Sequence, residues 1–422
     1  MSRFDLVVFG ATGFTGKQAV IEVTRVAKKY GLTWAVAGRS EYKLQQLMQE
    51  VSKKTGEDHS NIKVIIADVS NEASLEEMCR QAAVVVNCCG PYRLYGEPVV
   101  RAAIHCRAHY VDVSGEPQFI ETMQLEYDKA AQEAGVYVVS ACGMDSIPND
   151  LGVVYMEQQF DGTLNSVESY LTALVPPEYS AEARKGVVHY GTWESLVHSL
   201  ANHNELSVLR KKLYPQRLPT FQPKLQSRGI HKRFDKWCVP FLGADASIVY
   251  RTQRHLHEAG HKRPVQFKPY VKIGSMAATI AAVFAGVLLY FMSLTSFTRK
   301  LLLDHPRIFS LGFVTKDGPT ETVMNNTYYK FELFGEGWAR GEDEGTKPNK
   351  KIAVKVSGLN PGYGATVSGL VYSAITILKE KDKMPATGGV MTTGVAFGKT
   401  DLIKHLYDNN MKFEVIDTDR SK

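Results

Sequence analysis

The feature that most constrains this chain lies at its start. The apolar run Phe4–Phe9 leads into Gly10-Ala11-Thr12-Gly13-Phe14-Thr15-Gly16, and a stretch with helical spacing follows. A glycine every third residue, between a first strand and a helix, is the turn on which a dinucleotide pyrophosphate sits. Glycine lets backbone approach the phosphates, and the helix N-terminus presents free N–H groups and its positive dipole end. Gly10, Thr12, Gly13, Phe14, Thr15 and Gly16 are therefore candidate cofactor residues. The competing reading is a tight structural turn.

The context favours a cofactor. Short β-branched runs (Leu6–Phe9, Trp34–Ala37, Val64–Ala67, Val84–Cys88, Tyr110–Val113, Val136–Ser140) alternate with amphipathic stretches such as Lys17–Tyr30, Glu41–Lys54, Ser74–Gln81 and Phe119–Ala134. Near-continuously apolar strands separated by helices make βαβ units, so the class is α/β, with a Rossmann-type doubly wound parallel sheet.

The end of the second strand reads Ala37-Gly38-Arg39-Ser40. An NAD-specific domain puts a carboxylate there, to hold the ribose 2′-hydroxyl. Arg39 instead offers a permanently charged planar fork suited to a 2′-phosphate, and Ser40 adds a hydroxyl, so NADP(H) is expected over NAD(H). Arg39 could otherwise stack on adenine or face solvent. Asp68, ending the third strand, could touch the adenine or cap the next helix. Cys89, Gly90 and Pro91 end the fourth strand, where ligands of such sheets lie, and are expected to line the nicotinamide ribose.

After about residue 160 the pattern changes. Ser166–Val175, Tyr328–Phe334 and Ile352–Ser357 read as longer strands of a second, mixed or antiparallel sheet. The stretch from Pro176 to Pro264 is rich in proline and charge, with one helical candidate at Thr192–Ala201. A helix at Thr400–Asn409 and a strand at Lys412–Ile416 close the chain. Three units are expected: 1–160, the NADP(H)-binding domain; 161–380, a substrate domain; and 381–422, a segment returning to the first domain.

Five segments together resemble the saccharopine dehydrogenase-like oxidoreductases. They are Val8–Gly16, Ala37–Arg39, Asn87-Cys88-Cys89-Gly90-Pro91-Tyr92, Asp112-Val113-Ser114-Gly115-Glu116 and Cys142–Gly152. The likeness runs along nearly the whole chain, including Gly388-Gly389-Val390 and Ala396-Phe397. Gly143-Met144-Asp145-Ser146-Ile147-Pro148 is also similar to bacterial trans-acting enoyl reductases. The resemblance implies a Rossmann domain, then an α+β domain, with the cofactor in the cleft between them. No arginine set in the second part matches the needs of a substrate with several carboxylates.

Hydride transfer asks mainly for geometry, a dry cleft and one proton donor. Tyr92 and Asp145 are the candidates for catalysis. A packed turn aromatic is the alternative for Tyr92, and helix capping for Asp145 and for Glu116. Cys142 reads as a buried thiol, and His189 with Thr192 as an outside candidate for substrate contact.

Between Ile273 and Thr298 no charged residue occurs, and the core of the segment is Ala277–Met292. It could span a bilayer, form a buried core helix, or insert in one leaflet or a lipid-droplet monolayer with both flanks on the cytosolic side. Basic residues on both sides (Lys268, Lys272, Arg299, Lys300) give no orienting asymmetry and would suit anionic head groups. The expectation is monolayer attachment and a hydrophobic, lipid-derived substrate. A soluble amino-acid dehydrogenase and a cofactor-binding scaffold without turnover are the rivals.

A formal net charge of +6 is spread along the chain and forms no basic stripe with interleaved aromatics, which argues against nucleic acid. None of the six cysteines forms a C-x-x-C pair, so no metal site is expected and a reducing compartment is. Met1-Ser2-Arg3 leads at once into a short apolar run and a glycine turn, unlike a signal peptide. A homodimer is an open possibility.

Overall fold

The computed structural model describes residues 3–416. Seven parallel strands form the first sheet: β1 (Phe4–Phe9), β2 (Trp34–Gly38), β3 (Lys63–Ile66), β4 (Ala82–Asn87), β5 (His109–Asp112), β6 (Tyr137–Val139) and, from far down the chain, Gly389–Met391. Their spatial order is Gly389–Met391, β6, β5, β4, β1, β2, β3. The order reverses between β1 and β4, the switch point where doubly wound sheets bind ligands.

Side-chain alternation divides the strand residues between two covered faces. Leu6, Val8 and Val36 pack under α1 (Phe14–Tyr30) and α2 (Glu41–Thr55), and Val84, Val86 and Val111 under a helix from far down the chain, Thr366–Lys379. Val7, Phe9, Ala35, Ala37, Val85 and Tyr110 pack under α3 (Glu72–Arg80), α4 (Tyr92–His105) and α5 (Pro117–Ala134). Burial on both faces is why these strands read as continuous apolar runs.

The second sheet is mixed, in the order Lys412–Ile416, Lys350–Leu359, Tyr328–Ala339, Gly162–Leu174, Gln266–Ile273, Lys236–Pro240, His231–Arg233. One parallel pair, Gly162–Leu174 with Gln266–Ile273, lies at its centre. Its inner face packs on α6 (Ser146–Gln159): Gly152 lies so close to Leu333 that a β-carbon there would come within 3.0 Å of it.

Three expectations change. Helix Thr366–Lys379, sequentially inside the substrate unit, lies on the first sheet beside α1, with Leu370, Val371 and Ala374 in the core that both sheets share. Strand Lys412–Ile416 does not return to the first sheet; it pairs antiparallel with Lys350–Leu359 at the edge of the second, with Phe413 buried. The stretch 176–264 holds three helices of nine residues or more, Tyr190–Ala201, Glu205–Leu213 and Asp245–Gly260. The first realises the Thr192–Ala201 candidate; the other two were not expected.

Candidate cofactor and active site

The glycine turn is built as its sequence demands. Gly10 has φ +75°, a left-handed conformation, and a β-carbon there would meet the Cys88–Cys89 backbone at 3.0 Å. At Gly16 the β-carbon would fall 2.1 Å from the Gly10 carbonyl oxygen, so α1 starts hard against the turn. Helix α1 has Gly13 as its N-cap, with no side-chain cap and no acidic residue in its first turn. The Lys17 N–H bonds the Gly13 carbonyl, which leaves the N–H groups of Phe14, Thr15 and Gly16 directed out of the helix end. Gly13 is exposed, and Thr12, Phe14 and Thr15 are half-buried. An uncapped helix start with an open glycine cradle fits a pyrophosphate.

At the β2 end, Arg39 is exposed and makes no ion pair or hydrogen bond among the described residues, while its charge reaches Asp68 and Cys89. Ser40 caps α2, its Oγ accepting the Lys43 N–H at 3.4 Å, and keeps its own proton for another partner. Asp68 does not cap the next helix, whose N-cap is Asn71; it closes the turn before it. Its Oδ1 accepts from the Ser70 N–H (2.9 Å) and hydroxyl (2.8 Å), and these bonds hold its carboxyl below the usual range.

Across the ends of β4, β5 and β6 runs a buried polar network. Asn87 Nδ2 donates to the Tyr110 hydroxyl (2.9 Å), which donates to Asp112 Oδ2 (2.9 Å); the Ser140 hydroxyl donates to the same oxygen (3.0 Å). Asp112 Oδ1 accepts from the N–H groups of Ser114 and Ala141. Burial pushes the Asp112 carboxyl up to about 6 against those bonds. Asn87 Oδ1 accepts the Cys89 N–H at 2.9 Å, so the network sets the Cys89–Gly90 loop. Cys89 and Gly90 are open to solvent, whereas the Pro91 ring is buried beneath them and does not line the cleft.

Tyr92 is a strut and no proton donor. Its ring is buried against Phe119, and its hydroxyl donates to the Asn87 carbonyl (2.9 Å) and accepts from the Val113 N–H. Glu116, 1% exposed, caps α4: its oxygens accept from the N–H groups of Tyr92 and Arg93, both at 2.9 Å, and from the Ser195 hydroxyl at 2.8 Å. Its place one strand over from α4 explains why local sequence assigned it to α5 instead. Cys142 is fully buried, and burial pushes its thiol up. Asp145, the N-cap of α6, opens to solvent at the far end of this strip of loops.

The second sheet's neighbours close on the turn. His189 stacks on Phe14 (centroids 4.6 Å, 24°), and Tyr363 meets Phe14 edge-on at 4.6 Å. The Tyr363 hydroxyl accepts the His189 N–H at 3.0 Å, and His189 Nδ1 accepts from Gly191 N–H at 3.0 Å. Burial lowers the imidazole pKa, and His189 is wedged on the glycine turn through Phe14. Sequence alone gave no signal for Tyr363.

Residues 6–139 match the family model described as the saccharopine dehydrogenase NADP binding domain. A mouse saccharopine dehydrogenase-like oxidoreductase is 42% identical over 98% of this chain and 97% of its own. The chain belongs to this family. It is an oxidoreductase with an NADP-binding domain. A Caenorhabditis elegans relative named lipid droplet localized protein is 39% identical, over 98% of this chain and 99% of that one. The apo saccharopine dehydrogenase (L-Glu forming) of Saccharomyces cerevisiae shares the fold, with a TM-score of 0.54 over 98% of this chain and 99% of that one, at 16% identity.

Proposed function

We propose that this chain is an NADP(H)-dependent oxidoreductase that docks on a lipid monolayer, from its cytosolic side, and acts on a hydrophobic, lipid-derived substrate. The observation carrying the lipid half is the helix Met276–Leu294. It has 19 residues, about 28 Å at 1.5 Å each, and residues 280–288 are exposed on every side. Phe284 and Phe291 are 70% and 62% exposed, and Phe297, Ile308, Leu311 and Phe313 continue the apolar surface beyond the helix. A soluble protein does not leave such a patch in water without a partner.

Both flanks of the helix are tied to one body. Before it, Gln266–Ile273 is a central strand of the second sheet; after it, Leu302 packs with Trp193, Val197 and Val314. The Trp193 indole N–H donates to the Leu302 carbonyl at 2.9 Å. A spanning helix would have to pull that cluster apart, so insertion in one leaflet is favoured. The name of the worm relative agrees with a lipid-droplet surface. Against an amino-acid substrate stands the pairing of the second sheet's cations: Arg228 and Arg233 with Glu168, and Lys272 with Glu332.

In this reading the α1 N-terminus with Gly10, Gly13 and Gly16 holds the pyrophosphate, Arg39 and the Ser40 hydroxyl hold the 2′-phosphate, and Cys89 and Gly90 line the nicotinamide side. The bound dinucleotide supplies or accepts the hydride. The test is flotation of purified protein with phospholipid-coated triolein droplets. Wild type is expected to float. A variant carrying Phe284→Asp, Val287→Asp and Phe291→Asp together, at exposed positions, is expected to stay in the soluble fraction while binding NADPH unchanged. Equal flotation of the two would refute docking through this helix.

A further inference from the structure

Three large apolar side chains crowd one short turn beside the apolar helix. Ile308, Leu311 and Phe313 lie within six residues and are 68%, 89% and 65% exposed. The turn is closed by its own backbone. The Leu311 N–H bonds the Ile308 carbonyl, the Gly312 N–H that of Arg307 (2.7 Å) and the Phe313 N–H that of Ser310 (3.0 Å). The Ser310 hydroxyl accepts the Val314 N–H at 2.8 Å, and Leu311 (φ +53°) and Gly312 (φ +87°) reverse the chain. An ordered turn makes its apolar tip a fixed surface. That surface continues the one on helix Met276–Leu294: Phe309, next to Ile308, packs with Leu289 and Met292 of the helix against Trp193 and Val197.

The charges around the tip say what kind of partner it meets. Segments 182–188 and 299–317 carry six lysines and arginines and three carboxylates. Folding joins the two segments. The N–H groups of Val187 and Val188 both bond the Phe313 carbonyl, at 2.9 and 3.0 Å, and Val188 and His189 pair in parallel with Val314 and Thr315. A β-carbon on Gly312 would lie 3.8 Å from the Arg184 carbonyl oxygen.

Two of the six cations are engaged: Lys185 pairs with Glu182, and Arg299 donates to the Ser293 carbonyl near the end of the apolar helix. Arg184, Lys300, Arg307 and Lys316 are exposed and make no ion pair or side-chain hydrogen bond among the described residues. The charges of the other two carboxylates, Asp304 and Asp317, reach Tyr190 and His189 of the underlying helix. Of the basic flanks legible in sequence, Lys272 is held by Glu332. The free cations are therefore gathered mainly by the fold.

Apolar tips with unpaired cations at their base match an anionic lipid surface, where the tips enter the acyl region and the cations meet head groups. A protein partner fits less well, because the neighbouring helix is open on every side from 280 to 288, which a fluid layer covers and a single folded face does not. We propose that turn 308–313 is a second lipid contact, and that Arg184, Lys300, Arg307 and Lys316 around it select anionic phospholipid head groups. This rests on the docking reading above. The helix holds the protein on any phospholipid-coated surface, and the turn decides on which surface it accumulates.

The test is flotation with triolein droplets coated either in phosphatidylcholine alone or with roughly a third of it replaced by phosphatidylserine. A cation near such a surface is worth roughly fivefold in affinity. Wild type is expected to bind the phosphatidylserine droplets at least ~20-fold more tightly at low salt, with the gain fading in about 0.5 M salt as screening requires. Arg184→Gln, Lys300→Gln, Arg307→Gln and Lys316→Gln together are expected to cut the gain below ~threefold, with phosphatidylcholine flotation and NADPH binding as in wild type. Leu311→Ser with Phe313→Ser is expected to weaken binding to both coatings by about tenfold or more. All six positions are exposed, and unfolding curves check that each variant is folded. Equal binding of wild type to the two coatings, or a charge variant that keeps the full gain, overturns head-group selection and leaves docking through the helix standing. A Leu311 and Phe313 variant that binds like wild type overturns the second contact. Wild type that floats with neither coating overturns the docking reading and this inference with it.

Discussion

Gly16→Ala isolates what the glycine turn does. The new methyl would sit 2.1 Å from the Gly10 carbonyl oxygen and 2.9 Å from Ala11 Cα, both backbone atoms that no rotamer change can move aside. An ordinary carbon–oxygen contact is about 1 Å longer, so the start of α1 must move by roughly that amount. The N–H groups of Phe14, Thr15 and Gly16 move with it. Hydrogen bonds to a charged group are worth about 1.5–3 kcal/mol each. Losing two at the low end, about 3 kcal/mol, weakens NADPH binding by ~100-fold or more. Gly31→Ala is the control: it also has positive φ (+63°), at the far end of α1, but a β-carbon there meets nothing. It carries a backbone penalty without touching the turn. The assay is NADPH fluorescence titration of both variants, with unfolding curves to confirm that each is folded. A folded Gly16→Ala protein that binds NADPH within threefold of wild type would refute the reasoning.

Further outcomes follow from other residues. Arg39→Ala is expected to erase a preference for NADPH over NADH by weakening NADPH alone; a preference that persists would place the 2′-phosphate elsewhere. Trp193→Ala removes a buried ring and its bond to Leu302, and should cost about 3–5 kcal/mol in denaturant unfolding; a loss below 1 kcal/mol would contradict its role under the apolar helix. Asp150 is fully buried, and burial pushes its carboxyl up to about 6 from 3.8. A folded pKa above the unfolded one contributes stability that is complete below pH 4 and is lost as pH rises through 6. Wild type should therefore lose up to ~3 kcal/mol more than Asp150→Asn between pH 4 and pH 7, and parallel pH profiles would sink that account.

Local chemistry made the first sheet readable. Gly10, Gly13 and Gly16 act within seven residues of one another, and each strand carries its burial in its own β-branched run. Arg39 stands out because the rule it breaks, a carboxylate at the β2 end, is positional. What sequence could not supply was the partner of a side chain far along the chain. Glu116 looks like a cap for the helix it precedes, yet it caps α4 across the sheet and takes the Ser195 hydroxyl from residues later still. Tyr92 sits where a proton donor could sit, but its fate is decided by the Asn87 carbonyl and Phe119. Helix Thr366–Lys379 is buried from Val367 to Ile377, its small polar Ser368, Ser373 and Thr376 included, so its sequence does not say which sheet it serves.

Helix Tyr190–Ala201 joins the two halves of the proposed activity. Its N-cap, His189, wedges Phe14 of the glycine turn, and Ser195 holds the carboxylate that caps α4 beside the Cys89–Gly90 loop. On another face Trp193 and Val197 carry Leu289 and Met292 of the apolar helix. Residues 189–197 thus touch the glycine turn, the carboxylate beside the Cys89–Gly90 loop and the apolar helix. Packed interiors transmit displacements because they hold few voids to absorb them. One helix therefore sets the position of the apolar helix, which the proposed function puts at a lipid surface, together with that of the cofactor loops. That arrangement suits an enzyme whose substrate arrives from the lipid side, since docking orients the cleft as well as the anchor.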